Sequence, residues 1–191
     1  AGWMGHYLLV KGYDDNTRTF MTDDSYEGQN YSYTYAHIEE FWQHFNYTYI
    51  VLYSADREAE LMALLGDDAD EFTNMINALT IATNEAQVDN LDSFAWFNIG
   101  TNYVDLANFE RENGNETIAL SYYDNAKLAF DRAREIGIPW RMMWYQFGIY
   151  ETYYEVAQAS DDPALSNGLY VEIISLARET IQNCQNPNGI C

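Results

Sequence analysis

Apolar residues recur at three- and four-residue steps through the middle of the chain. Between Phe94 and Pro139, Trp96, Ile99, Gly100, Tyr103 and Ala107 fall on one face of a helix, and Ala119, Tyr123, Ala126, Phe130 and Ala133 do so again. Glu112-Asn113-Gly114-Asn115 separates the two runs, and Gly114 suits the left-handed backbone that ends a helix. The spacing predicts a helical hairpin. Upstream, Asp56 is expected to cap a helix running to Leu65 and closed by Gly66. Asp67, Asp68, Asp70 and Glu71 read as a cap and a negative first turn, which the helix dipole favours; they lack the ligand spacing and central glycine of a calcium loop. The helix they introduce should cover Phe72 to about Gln87, with Met75, Leu79 and Ala82 or Thr83 along one side, and Asp92 or Ser93 should cap the hairpin. After Pro139, Trp144, Phe147 and Gly148 repeat the Trp-x-x-apolar-Gly step. A partner helix is predicted after Asp162-Pro163 or Asn167-Gly168, carrying Tyr170, Ile174, Ala177 and Ile181.

The first fifty residues have a different texture. Tyr7-Leu8-Leu9-Val10 is a short apolar run, Gly12 to Asn16 reads as a turn, and Thr17 to Thr22 as a returning strand. A polar segment follows from Asp23 to Asn30. His37 to Phe45 is amphipathic and predicts a short helix. Tyr47-Thr48-Tyr49-Ile50-Val51-Leu52-Tyr53, rich in β-branched and aromatic residues, is the strongest strand candidate of the chain.

The Trp96, Ile99, Gly100, Tyr103 and Ala119, Tyr123, Ala126 spacing resembles a tetratricopeptide repeat, in an elongated form whose second helix runs on to Pro139. The small Gly100 and the alanines would let two helices approach closely. Any antiparallel helical hairpin with an aromatic core is the alternative. Gly5-His6-Tyr7-Leu8-Leu9-Val10 with Gly12-Tyr13-Asp14-Asp15, then Asp24-Ser25-Tyr26-Glu27-Gly28, then Trp42 and the strand to Tyr53, resemble the second half of a papain-like cysteine peptidase of the bacteriocin-processing type. The resemblance implies that His6 is a general base and Asp24 the carboxylate that orients it, with Asp23 the weaker candidate. Ser25 stands where the family has proline. A thiol needs a neighbouring imidazole to become a good nucleophile, and a carboxylate fixes the imidazole's tautomer. In the family the cysteine precedes the histidine by a long stretch; Cys184, in a turn-rich tail beyond the helices, is no substitute. As it stands the chain is not expected to be a self-sufficient peptidase. A histidine satisfied by backbone groups at a strand start is the bland alternative for His6.

The fold expected is α+β: a partial papain-like β-rich segment over 1–54, connecting helices over 55–91, tetratricopeptide-like hairpins over 92–183 and a Cys loop over 184–191. The 191 residues, 48% of them hydrophobic, can bury one good core or two small ones. With 30 acidic residues against 9 basic ones, the net charge of -21 argues against nucleic acid or an anionic membrane surface. No apolar run is long enough to span a bilayer, and no cofactor is expected. The 17 tyrosines suit protein contact surfaces. Cys184 and Cys191 enclose a bend-prone Asn-Pro-Asn-Gly and predict a small disulfide loop; a zinc pair competes, without a second pair of ligands in sight. Asn30, Asn46 and Asn115 are glycosylation acceptors, although roughly two such matches arise by chance in a chain this rich in asparagine. His37 and His44 with Glu40 form a possible metal set or, by preference, an exposed helix face.

The cysteines and sequons together point outside the cell or to its surface. No charged-then-apolar leader opens the sequence at Ala1-Gly2-Trp3; a signal peptide, if the protein has one, is expected upstream or removed. Two functions follow. The first is a secreted, catalytically inactive interaction or assembly subunit that uses helical repeats and open sheet edges for protein contacts, with an extracellular fibre as one product. The second is the carboxy-terminal portion of a cysteine peptidase whose nucleophile lies upstream. An inhibitor-like binder of such peptidases has no positive signal.

Overall fold

Near the amino terminus the chain folds into a three-stranded antiparallel sheet, β1 (Leu8–Asp14), β2 (Thr19–Asp24) and β3 (Gly28–Thr34), in the order β1-β2-β3, followed by α1 (Tyr35–Gln43). The computed structural model describes residues 5–184, which divide into two units, 5–49 and 50–184. The expected hairpin is present, but its turn lies later. Asp14 Oδ1 accepts the Asn16 amide at 2.8 Å and Arg18 takes φ 53°, so the bend falls after Asp14 and Gly12 stays in the strand. The third strand replaces part of the polar segment expected from Asp23 to Asn30.

The register skips Lys11 on β1 and Asn30 on β3, the second with φ 56°, leaving each as the extra residue of a bulge. On β2, Phe20, Thr22 and Asp24 share one face by strand alternation. Thr22 and Asp24 are buried, and the Thr22 hydroxyl donates to the Tyr31 carbonyl at 3.0 Å. Thr34 caps α1 by accepting the His37 amide, and Phe20 meets Tyr35 ring to ring at 4.5 Å.

Tyr47 to Tyr53 is not a strand, contrary to the sequence reading. Asn46 and Tyr47 take φ of 51° and 53°, the Thr48 amide donates to the Phe45 carbonyl, and the Thr48 carbonyl accepts Trp42 Nε1 at 2.7 Å. The segment is bent back onto Trp42, and among the described residues no strand offers it a ladder. β propensity without a partner strand leaves backbone groups unpaired, so it does not produce a strand.

The second unit is helical: α2 (Glu58–Leu65), α3 (Glu71–Val88), α4 (Ser93–Glu112), α5 (Glu116–Ile136), α6 (Gly148–Ala159) and α7 (Pro163–Cys184), with 3-10 turns at Ala55–Arg57, Gly66–Ala69 and Trp140–Trp144. Asp56 does not cap α2, because it already lies inside the first of these turns and Arg57 takes the cap position. Asp70 caps α3 through the Thr73 amide at 2.9 Å. Asp92, rather than Ser93, caps α4 through the amides of Phe94 and Ala95. Gly66 and Gly114 take positive φ where their helices end.

Helix α4 is wrapped by α3, α5 and α6. It buries Ala95, Phe97, Asn98, Ile99, Gly100, Asn102, Val104, Leu106 and Ala107, far more than one face. All five residues expected inside on α5 are buried. The fully buried Phe130 ring lies against Gly100, where a Cβ would come within 2.6 Å of it, and edge-on to Phe97 at 4.8 Å. Gly148 also borders this ring: a Cβ added there would lie 3.4 Å from Phe130 Cζ. Two corrections follow. Helix α6 starts only at Gly148, so Trp144 and Phe147 precede it instead of sharing its face. On α7 the buried residues are Leu169 and Leu176, the expected Tyr170 and Ala177 are half-buried, and Ile174 and Ile181 face water, because α7 packs on α6 along a stripe shifted by about one residue from the expected one. The Cys184–Cys191 loop lies outside the described residues.

Candidate functional site

The sheet places one histidine beside one buried carboxylate. His6 Nε2 lies 3.1 Å from Asp24 Oδ2; the His6 side chain is 42% exposed and that of Asp24 1%. Gly5 fixes the approach, since the Phe45 ring rests against its backbone and a Cβ there would sit 2.4 Å from Phe45 Cζ. At the end of β2, Asp24 Oδ1 accepts the amides of Tyr26 at 2.7 Å and Glu27 at 3.3 Å, and Oδ2 accepts the Tyr33 hydroxyl at 2.7 Å as well as His6. A carboxylate has about four lone-pair sites, so every one is engaged.

The electrostatics follow from these contacts. Burial by itself raises the Asp24 carboxyl. The donors from Tyr26, Tyr33, His6 and Glu27 more than offset it and hold the group well below the usual carboxylate range. Burial, and then the hydrogen bond to Asp24, pushes the Tyr33 phenol well above its ordinary value, so Tyr33 stays a donor. An ionised Asp24 can only accept. Nε2 of neutral His6 therefore carries the proton, and Nδ1 holds the lone pair.

Asp23 is engaged elsewhere. Its Oδ1 meets Lys11 Nζ at 2.6 Å and the Asn30 amide at 2.9 Å, and Lys11 also donates to Asn30 Oδ1, so the two bulge residues hold Asp23 away from His6. His37 stacks on Tyr33 at 4.9 Å with 4° between the planes, and Phe41 lies against both His37 and His44. Among the described residues no group of three or more His, Cys, Asp or Glu is placed to hold a metal ion. Asn30 and Asn115 are exposed and Asn46 half-buried. Sequence reasoning missed Tyr33. Its signal was the period-two Tyr31-Ser32-Tyr33-Thr34-Tyr35 alternation, a strand pattern directly after the polar segment.

In the helical unit an open groove of about 310 Å³ lies between α3, α4 and α5, lined among others by Thr83, Gln87, Trp96, Tyr103, Asn125 and Leu128. Two buried tyrosines carry charged clusters. The Tyr123 hydroxyl lies 2.7 Å from Asn108 Oδ1 and 3.0 Å from Glu151 Oε1, and Arg111 bridges it to Glu116 and Glu155. The Tyr153 hydroxyl donates to Asp131, which also takes Lys127, and accepts from Arg134, which also reaches Glu172. Desolvation first, and then the charge of Glu151, pushes the Asp105 carboxyl up to about 6, although water still reaches this residue. No helix among the described residues is long and apolar enough to cross a membrane. No protein-family model, curated protein or solved structure matches the chain.

Proposed function

We propose that residues 5–49 provide the base and orienting carboxylate of a papain-like cysteine-peptidase site, and that tetratricopeptide-like hairpins in the helical unit bind protein. The single observation that carries the first part is the His6–Asp24 contact at 3.1 Å over a buried, ionised carboxylate. With Nε2–H committed to Asp24, Nδ1 is free to take the proton of a thiol. The product is a thiolate beside an imidazolium, and the thiolate attacks the substrate carbonyl. The thiol comes from a further segment of the polypeptide or from a second protein. The aromatic groove on α3, α4 and α5 supports the second part. The test is labelling of the longest native form of the polypeptide with a cysteine-directed epoxide. Label that disappears with His6→Ala supports the reading, and no label at all defeats it.

A second reading, a secreted assembly subunit, is favoured by the sheet edge. Among the described residues β1 is an edge strand, and Leu9, Val10 and Tyr13 along it are 52%, 48% and 72% exposed. A neighbouring copy adding a strand there would give an oligomer or a fibre. Light scattering at micromolar concentration decides: a monodisperse monomer rules this reading out. Glycans on Asn30, Asn46 or Asn115, seen as a mass shift on enzymatic deglycosylation of native material, would place the protein in the secretory route.

A further inference from the structure

We infer that Tyr33 is a positioning residue for His6, acting through Asp24; this rests on the His6–Asp24 reading above. The Tyr33 hydroxyl and His6 Nε2 converge on the same oxygen, Asp24 Oδ2, at 2.7 and 3.1 Å. The other oxygen is fixed by the two amides of the turn after β2. Three of the four donors are therefore supplied by the sheet and its turn, and only the fourth belongs to the imidazole. The carboxylate plane is set before His6 arrives.

Tyr33 is itself held. It stands on β3, its ring meets Tyr31 at 4.7 Å, and it stacks on His37 in a nearly parallel arrangement. Without the hydroxyl, Oδ2 keeps one donor, the carboxylate can turn about its Cβ–Cγ bond, and His6 loses the fixed acceptor that selects the Nε2–H tautomer. The geometry thus assigns Tyr33 the outer-shell role that carboxylates and carbonyls play behind metal-bound histidines, where the partner of the partner fixes ring orientation. A phenol suits this place, because it donates without carrying a charge that would compete with the imidazolium formed in the proposed reaction.

The experiment is nuclear magnetic resonance on the full chain, which reads the His6 tautomer from long-range nitrogen–proton correlations and the Asp24 titration from its carboxyl carbon. Tyr33→Phe keeps the ring and its stacking, so a packing role would leave both readouts unmoved. The expected result is a severalfold fall in the ratio of Nε2–H to Nδ1–H tautomer. The Asp24 acid dissociation constant should also fall by about tenfold or more, because one hydrogen bond to the charged form is gone. A folded Tyr33→Phe protein with wild-type tautomer ratio and wild-type Asp24 titration overturns the inference. Should that variant not fold, the unsubstituted protein still decides: a resolved Tyr33 hydroxyl proton with a cross-peak to the His6 ring supports the assignment, and its absence refutes it. Asp24→Asn separates the two levels. If that change leaves the His6 tautomer as it was, the His6–Asp24 reading itself fails. If it shifts the tautomer while Tyr33→Phe does not, only the role of Tyr33 fails.

Discussion

Replacing Gly100 with alanine tests the packing of the helical unit at its tightest point. An alanine Cβ would lie 2.6, 2.7 and 2.8 Å from three ring atoms of Phe130. That ring is confined, since Phe130 is fully buried, Phe97 stands edge-on to it and Gly148 also borders it. Overpacking of this kind costs about 1–3 kcal/mol, and a clash with three atoms of a confined ring belongs in the upper half of that range. Alanine returns about 0.5–1 kcal/mol through its better helix propensity. The net expectation is a loss of about 1–2 kcal/mol, or a fall of roughly 3–6 °C in Tm. Urea and thermal unfolding followed by circular dichroism at the helical band would measure it. Gly168→Ala is the internal control: it lies within α7, its φ is not positive and nothing lies within 4 Å of an added Cβ, so this change should stabilise by about 0.5–1 kcal/mol. Combining Gly100→Ala with Phe130→Leu should remove the clash while the helix-propensity gain remains, giving a coupling energy of about 2–3 kcal/mol. A Gly100→Ala protein as stable as the parent would refute the reasoning, because the helix spacing would then be set by something other than this contact.

Three further outcomes follow from the charged groups. Asp24 has its folded carboxyl below the ordinary 3.8, so the unfolded chain binds more protons. The stability it gives the 5–49 unit is intact above about pH 4 and lost as pH falls further, a leg of the acid titration that Asp24→Asn should abolish when the Trp42 indole signal is followed. Asp105 has the opposite sign: its carboxyl is raised from 3.8 to about 6, so the native state holds the extra proton and stability falls as pH rises through that interval. Asp105→Asn should therefore raise Tm at pH 7 and lose most of that advantage at pH 4; equal gains at both values would contradict the assignment. Tyr153→Phe removes a buried hydroxyl from Asp131 and Arg134, each of which keeps another partner in Lys127 and Glu172. Thermal unfolding should show a loss of only about 1 kcal/mol, at the low end for a broken buried hydrogen bond.

The helices were legible because their signals are local. Three- and four-residue spacing, Asp70 and Asp92 at caps, and glycines at positive φ each act within one turn, and the α5 face came out residue for residue. Most of the larger misreadings needed a partner that periodicity does not contain. Tyr47 to Tyr53 has strand composition but no strand beside it. Trp144 and Phe147 fall at helical spacing from one another, yet the backbone there is a 3-10 turn that ends before α6. Gly100 and Gly148 looked like equivalent positions of two repeats, whereas in the fold they flank one and the same ring. His6 and Asp24 were legible only through motif resemblance, because the contact joins the chain just before β1 to the end of β2, 18 residues away. Tyr33 was hidden for the same reason, nine residues from its acceptor across the β2–β3 turn.

What recurs along the helical unit is a polar arrangement. Tyr123 on α5 is reached by Arg111 from α4 and by Glu151 from α6, and Glu155 from α6 completes the cluster through Arg111, which also lies over the ring at 5.0 Å. Tyr153 on α6 is reached by Asp131 and Arg134 from α5, and Glu172 from α7 completes it through Arg134, with Arg134 over the ring at 5.9 Å. In both cases a buried ring carries its hydroxyl to a groove where an arginine of the preceding helix meets a glutamate of the following one. Each tyrosine thus ties three successive helices together, which an apolar side chain of the same size could fill but not connect. The arginines and glutamates involved read as ordinary surface residues on their own helices, because each faces outward from a single helix. They become bridges only when three helices lie side by side, so the same side chains that hide this pattern from a search for apolar spacing also fix the order in which α4, α5, α6 and α7 can pack.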